Sequence, residues 1–335
     1  MDVFFFRHFV LLFFIVFLVS AISTSTWISR AKKAGLTGKD MHKVKESQVA
    51  EMGGISVLLA FIVGVMIYIA IRIFVFETST SITPLLAILT ATLIAGFIGM
   101  IDDILGWKIG LRQWQKPLLT LLVAAPIMAI NAGSKVMSFP IFGNINLGYL
   151  YPLFVIPGFI LVGTNGFNML AGYNGLEAGQ GIIIFSALGI LSYLTGSAWL
   201  SVVAVCMIFA LLGFWLFNYY PAKIFPGDTL TYTVGALAAA LAIMANLEQA
   251  FIILYIPYIL EFFLKLRGRF QKESFAKVTA DGTLVPRYDQ IYGLENLFVK
   301  MMNGLNIRTT ERKAVYCLHG FQLLFVILAL AASLL

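Results

Sequence analysis

Three asparagines (Asn165, Asn168, Asn174), one carboxylate (Glu177) and four glycines fall between Thr164 and Gln180, in TNGFNMLAGYNGLEAGQ. An apolar run lies on either side. Amides, a carboxylate and bare backbone at the mouth of a membrane helix suit a cation-held phosphate better than lipid, because hard cations take oxygen ligands. Asp102 and Asp103 stand side by side at the end of another apolar run, in GMIDDILGW. Charge is costly to bury in hydrocarbon, so ionisable residues at such depth usually have a task, although an interfacial cap solvated by headgroups is the bland alternative. Asp228 opens a further run in FPGDTLTYTVGA. Asp followed by Thr reads as a helix N-cap, and equally as a carboxylate that can hold Mg²⁺ beside a phosphate-favouring helix N-terminus. Phe225 offers a ring for a base to stack on, or plain packing. Gly53 and Gly54, after Glu51 in AEMGGI, allow a close backbone approach. Arg287 follows Pro286 and carries a planar guanidinium suited to pyrophosphate, or to solvent.

Such residues need helices to hold them. The 335 residues are 60% apolar, 14% aromatic and 12% charged, with a mean hydropathy of +0.92. That composition is an integral membrane protein's. A bilayer core needs roughly 20 apolar residues per helix, and ten runs stand out: 3–25, 54–76, 84–105, 114–130, 150–165, 179–194, 198–217, 230–246, 250–266 and 314–335. The first is long for the apolar part of a cleaved signal peptide and reads as a span. Of the 23 Lys and Arg, only Arg7, Arg72 and Lys135 fall outside the loops that follow odd-numbered runs. The positive-inside rule makes those loops cytoplasmic and both termini extracytoplasmic. Trp107 and Trp114 are expected interface anchors. The net charge of +7 follows from topology and anionic lipid, with no nucleic acid needed. Cys206 and Cys317 lie inside apolar runs and build neither a disulfide framework nor a metal motif.

The fold class expected is therefore an all-α polytopic membrane protein of about ten transmembrane helices, one domain over residues 1–335. Two hairpins are expected, an outer one at Gly143-Asn144 and a cytoplasmic one at Asp281-Gly282. Beyond the second, Ile291, Leu294, Leu297, Phe298, Met301 and Met302 recur at helical spacing, with Glu295, Asn296 and Lys300 off the stripe. That pattern predicts an amphipathic helix, lying in the headgroups or packed on the protein.

Together AEMGG, GMIDDILGW, NGFNMLAGYNGLEAGQG and FPGDTLTYTVGA resemble the polyprenyl-phosphate N-acetylhexosamine-1-phosphate transferase family. The similarity is greatest to its archaeal and eukaryotic branch, the UDP-GlcNAc:dolichyl-phosphate GlcNAc-1-phosphate transferases. The resemblance implies ten helices, Mg²⁺ or Mn²⁺ as cofactor, and UDP-GlcNAc and a dolichyl or other polyprenyl phosphate as substrates. By the same resemblance Asn168 and Asp228 match the metal ligands. Asn174 matches the residue that hydrogen-bonds uracil, Gly172 and Phe225 the positions that sandwich it, and Glu51 a nucleoside-site residue; Glu177 joins this substrate-binding group. Asp102 and Asp103 match the paired aspartates beside the lipid phosphate, Lys116 the lysine on the phosphates, and Arg287 the first arginine of a Pro-Arg-His-Arg segment. This chain has Pro-Arg-Tyr-Asp there, with Asp289 in place of the second arginine. It also lacks the histidine-rich segment of the bacterial peptidoglycan enzymes, which argues against a muramoyl-pentapeptide substrate.

The implied activity is transfer of GlcNAc-1-phosphate with release of UMP, the first membrane step of lipid-linked oligosaccharide assembly for N-glycosylation. The active site would face the cytoplasm from the plasma membrane of a prokaryote or the endoplasmic reticulum of a eukaryote. A homodimer stays open. The rival functions are an undecaprenyl-phosphate sugar-1-phosphate transferase for cell-envelope polysaccharide and a secondary transporter. A transporter would place ionisable residues or broken helices at the midplane of related halves. Glu261 is the main ionisable residue inside a run, and no halves repeat.

Overall fold

Within a bilayer every backbone N–H and C=O must find a partner inside the protein, so long apolar runs become helices. A computed structural model describes residues 3–44, 47–139 and 143–334. Lys45 lies outside the described residues, as do the side chains at 3–6, 107–109, 138, 139, 144 and 334, Trp107 and Lys108 among them. The helices are α1 (Val3–Ala34), α2 (Gly54–Phe74), α3 (Ile82–Ile109), α4 (Gln115–Ala129), α5 (Ile156–Met169), α6 (Leu176–Leu194), α7 (Ala198–Asn218), α8 (Gly227–Ala245), α9 (Glu248–Leu254), α10 (Ile256–Arg267), α11 (Leu294–Gly304) and α12 (Glu311–Leu334). Among the described residues eight helices are long and apolar enough to span a membrane, α5 being counted with the π-helical turn Tyr151–Val155 that leads into it, and nine if α9 and α10, bent by 53° at Tyr255, form one broken span. α4 is apolar too but shorter, at 15 residues. All ten expected runs are thus helical. α1 continues to Ala34, nine residues past its apolar stretch, because Trp27 and Ala31 still pack inward.

Three antiparallel hairpins join these helices: β1 (Thr37–Lys39) with β2 (Gln48–Ala50), β3 (Val136–Phe139) with β4 (Gly143–Asn146), and β5 (Lys277–Val278) with β6 (Leu284–Val285). The first carries no turn dipeptide and is not legible in the sequence. In the second, Phe139 pairs with Gly143, so Gly143 and Asn144 belong to the strand and not to the turn; residues 140–142 lie outside the described residues. The third turns at Asp281-Gly282 as expected, with Gly282 at φ +81° and both Thr279 and Thr283 donating hydroxyls to the Asp281 carboxylate. α11 is amphipathic, but the faces are not those the sequence suggests. Glu295 and Asn296 are buried while Met301 is half exposed, because α11 packs between α10, β6 and α12.

α8 is the hub. Almost every residue from Thr229 to Ala245 is buried, against α3, α5, α2 and α6. In lipid, helix association relies on close packing rather than on exclusion of water, which favours small residues at crossings. Here a Cβ on Gly235 would lie 2.2 Å from the Gly163 carbonyl oxygen, and one on Gly99 would lie 2.4 Å from that of Asp228. These two crossings set α5 and α3 directly on α8. Gly235→Ala should push α5 away at a cost of about 1–3 kcal/mol, read as a lower thermal midpoint of the purified protein in detergent; an unchanged midpoint would contradict this packing.

Candidate active site

The first turn of a helix leaves its N–H groups without intrahelical partners. At the start of α8 the Asp103 side chain supplies them: Oδ1 accepts from Asp228 N at 2.7 Å, and Oδ2 from Thr229 N at 3.0 Å and the Thr229 hydroxyl at 2.6 Å. The expected N-cap role of Asp228 is therefore filled by a carboxylate from α3. Gly227, at φ +72°, allows this: a Cβ there would meet Asp103 Oδ2 at 2.5 Å. The carboxylate of Asp228 is left to turn into the site.

There it meets two other expected residues. Lys116, at the start of α4, places Nζ 2.9 Å from Asp228 Oδ2 and 2.5 Å from Asp102 Oδ2. Asp102 Oδ1 accepts Leu111 N at 2.7 Å, tying the chain that follows the break in α3 at Gly106. Asn168, in the last turn of α5, donates Nδ2 to Asp228 Oδ2 at 3.2 Å and accepts from the Thr231 hydroxyl at 2.9 Å. Two carboxylates share one ammonium here, leaving an excess negative charge beside an amide. Hard oxygen donors with that charge fit a divalent cation. The fit needs the Asn168 amide turned by half a rotation, an orientation fixed in a structure only by its hydrogen bonds.

Two polar cavities flank Asp228. One, of about 330 Å³, is lined by Glu51, Asn168, Gly172, Glu177, Phe225 and Asp228, with Phe275 against Gly172. The other, of about 460 Å³, is lined by Glu51, Asp102, Asp103, Lys116, Phe225 and Asp228. Backbone pairing holds them: Phe225 N donates to Ala50 O at 2.7 Å, Gly53 N to Phe225 O at 2.9 Å and Gly54 N to Pro226 O at 2.8 Å. The expected close approach of the Gly53-Gly54 pair thus finds its partner in the loop before α8. Burial, with Asp103 nearby, raises the Glu51 carboxyl above its ordinary 4.5.

Three expected site residues have partners within the protein. Glu177 Oε1 accepts Gly172 N at 2.7 Å and closes the turn before α6. Asn174 does not line the first cavity; its amide donates to Asp40 Oδ2 at 3.0 Å and its N–H to Glu311 Oε1 at 2.8 Å. Arg287 pairs with Glu273 and lines neither polar cavity. Asp40, His42 and Glu311 bring three ligand atoms within 4.8 Å of one another. The cluster carries its own cation, since Lys43 Nζ lies 3.5 Å from Asp40 Oδ2 and 3.1 Å from Glu311 Oε2. Burial alone would lower the Lys43 pKa, but these two carboxylates outweigh it and raise it.

Sequence reasoning missed Phe275, which packs over Gly172, and Thr229 and Thr231, which fix Asp103 and Asn168. A lone Phe and two Thr inside apolar patterns give no distinguishing signal. It also missed a third cavity, of about 500 Å³, that adjoins the first at Asn168, Ala171 and Phe275. That cavity shares Pro117, Asn165, Met169 and Phe262 with an apolar groove between α4, α5 and α10. The groove continues along α5 and α9 through Val162 and Ile259.

Residues 85–246, from α3 to the end of α8, match the model of glycosyl transferase family 4. The chain is 36% identical over 318 residues to a protein of Saccharolobus solfataricus provisionally named UDP-N-acetylglucosamine–dolichyl-phosphate N-acetylglucosaminephosphotransferase, covering 94% of each. A protein of Sulfolobus acidocaldarius with the same provisional name is 33% identical over 320 residues, covering 93% of this chain and 92% of its own. A phospho-N-acetylmuramoyl-pentapeptide-transferase of Streptococcus pneumoniae is 32% identical over 259 residues, covering 74% of this chain and 76% of its own.

Two outcomes separate the aspartates and locate Glu51. Asp103→Ala removes a helix cap and should lower stability by about 1–2 kcal/mol, whereas Asp228→Asn should leave the thermal midpoint in place; equal losses would refute this division. Because the folded state holds the Glu51 proton more tightly than the unfolded chain, that contribution is full below pH 4.5 and lost as pH rises through the raised value. Glu51→Gln should therefore flatten the decline of the midpoint across that window, and a parallel decline would show that Glu51 is not its source.

Proposed function

The chain belongs to glycosyl transferase family 4, and from that membership we propose that it transfers N-acetylglucosamine-1-phosphate from UDP-N-acetylglucosamine to dolichyl phosphate or another polyprenyl phosphate, releasing UMP. One observation carries it: the cluster of Asp102, Lys116, Asn168 and Asp228 lies where polar cavities meet an apolar groove open along the helices. A soluble nucleotide sugar and a lipid can both reach that point.

The donor occupies the polar cavities beside Asp228, its base between Gly172 and Phe225. The acceptor tail lies in the groove between α5 and α10. An oxygen of the lipid phosphate attacks the β-phosphorus of the donor, the bond to the bridging oxygen breaks, and UMP departs with that oxygen. Asn168 and Asp228 would hold Mg²⁺, which when bound neutralises charge on the pyrophosphate. Lys116 adds a fixed positive charge beside the transferring group, oriented by Asp102. A phosphate monoester loses its second proton with a pKa of about 6 and is therefore largely doubly ionised at neutral pH, so no general base is required. Both oxygens of Asp103 are occupied at the α8 N-terminus, which supports direct attack over an aspartyl intermediate. The segments that supply these residues adjoin the basic loops of the sequence, which by the positive-inside rule supports a cytoplasmic active site.

Purified protein with Mg²⁺, a short dolichyl phosphate and a panel of UDP-GlcNAc, UDP-GalNAc and UDP-MurNAc-pentapeptide should yield lipid-pyrophosphate-GlcNAc and UMP, and Asp228→Ala should abolish both. UDP-GlcNAc without lipid should release no UMP. Absence of lipid-linked product from every donor, or solute uptake into proteoliposomes without lipid phosphate, would sink the proposal.

A further inference from the structure

We propose that Lys265 and Lys272 bind the phosphate of the acceptor lipid, in the cavity of about 500 Å³ between the polar site and the apolar groove. This rests on the acceptor being a polyprenyl phosphate, as proposed above. The cavity is lined by three lysines, Lys116, Lys265 and Lys272, and by one carboxylate, Glu273, already paired with Arg287. Lys116 and Lys265 are each paired with carboxylates outside the lining, and Lys272 makes no ion pair among the described residues, so the lining itself presents ammonium groups with one carboxylate among them. On one side it shares Asn168 and Phe275 with the nucleotide-side cavity; on the other it shares Pro117, Asn165, Met169 and Phe262 with the groove, whose walls are almost wholly apolar. A ligand with a doubly charged head and a hydrocarbon tail matches that join, and its head would meet the lysines before reaching Lys116 and Asp228.

Lys265 is placed for this by an otherwise unexplained charge. Glu261 is fully buried one turn earlier on α10. It accepts Leu294 N at 2.6 Å through Oε2, and its Oε1 lies 3.5 Å from Lys265 Nζ. The ammonium also donates to the Met169 carbonyl at the end of α5. A buried carboxylate inside a span is costly unless paired; here the pair holds a lysine at the cavity wall with a fifth of its side chain still exposed. Lys272, which also lines the cavity, is exposed and lies 5.2 Å from the ring centre of Tyr288, a contact weak enough at an exposed site to yield to phosphate. Glu261 and Met169 position; the two lysines bind.

The test uses the full-length protein with Lys265→Met, Lys272→Met and both together, measuring KM separately for a short polyprenyl phosphate and for UDP-GlcNAc, with the uncharged polyprenol as a competitive probe. Each single variant should raise the acceptor KM roughly tenfold, the loss of about one charge-assisted contact. The donor KM and inhibition by polyprenol should change less than twofold. An unchanged acceptor KM, or an equal rise for the donor, overturns the proposal, the second outcome assigning the lysines to the donor pyrophosphate. Should Lys265→Met fail to fold once Glu261 is left unpaired, Lys272→Met decides alone, since its side chain is exposed. Wild-type protein that makes no lipid-linked product would defeat the proposed function instead, before either variant is measured.

Discussion

A helix that begins inside a membrane protein presents unpaired N–H groups where water is scarce, and everything at the candidate site follows from how α8 meets that demand. Its own first-turn acid could have folded back as the cap. Asp103 reaches across from α3 instead, through the gap left by Gly227, and accepts both N–H groups and the Thr229 hydroxyl. The exchange is what makes Asp228 available. Two adjacent aspartates that look equivalent in the chain thus have unlike tasks, one holding a helix start and the other orienting a lysine.

The cap requires α3 and α8 to lie very close, which is why Gly99 sits against the Asp228 carbonyl. Gly54 is pressed in the same way on Leu230, where a Cβ would lie 2.2 Å from the backbone nitrogen. Small residues at these crossings bring the ends of α2, α3, α5 and α8 to one spot, and the polar groups converge because the backbones do. Charge then balances locally: Lys116 neutralises Asp102 and Asp228 in part, and the remaining negative charge gives a cation a reason to enter.

Beside the cavity lined by Glu51, Phe225 and Asp228, a second polar network, whose Asp40 also lines that cavity, ties three distant segments together. Asp40 and Lys43 come from the loop after α1, Asn174 from the turn before α6, and Glu311 from the start of α12. His42 stacks on Tyr173 with ring centres 4.2 Å apart, adding an apolar seam. Pairing of these charges in a buried place costs solvation but fixes geometry, and the geometry fixed is that of the Gly172 turn on which Phe275 rests.

Apolar run length alone determined that this chain is helical and that eight or nine of its described helices are long and apolar enough to cross a membrane, because lipid leaves the backbone no other solution. The sequence also drew attention to Asp102, Asn168 and Asp228 as polar groups at the ends of apolar runs, where charge is costly, and the family resemblance added Lys116. Only the tertiary structure decided what each of them touches. Which aspartate caps α8, that Glu295 and Asn296 face inward, that Arg287 pairs with Glu273, and that Glu261 holds Lys265 at a cavity wall all depend on contacts between residues far apart in the chain. Helical periodicity records which face of a segment is apolar; it holds no information about the neighbour against which a polar face will be buried.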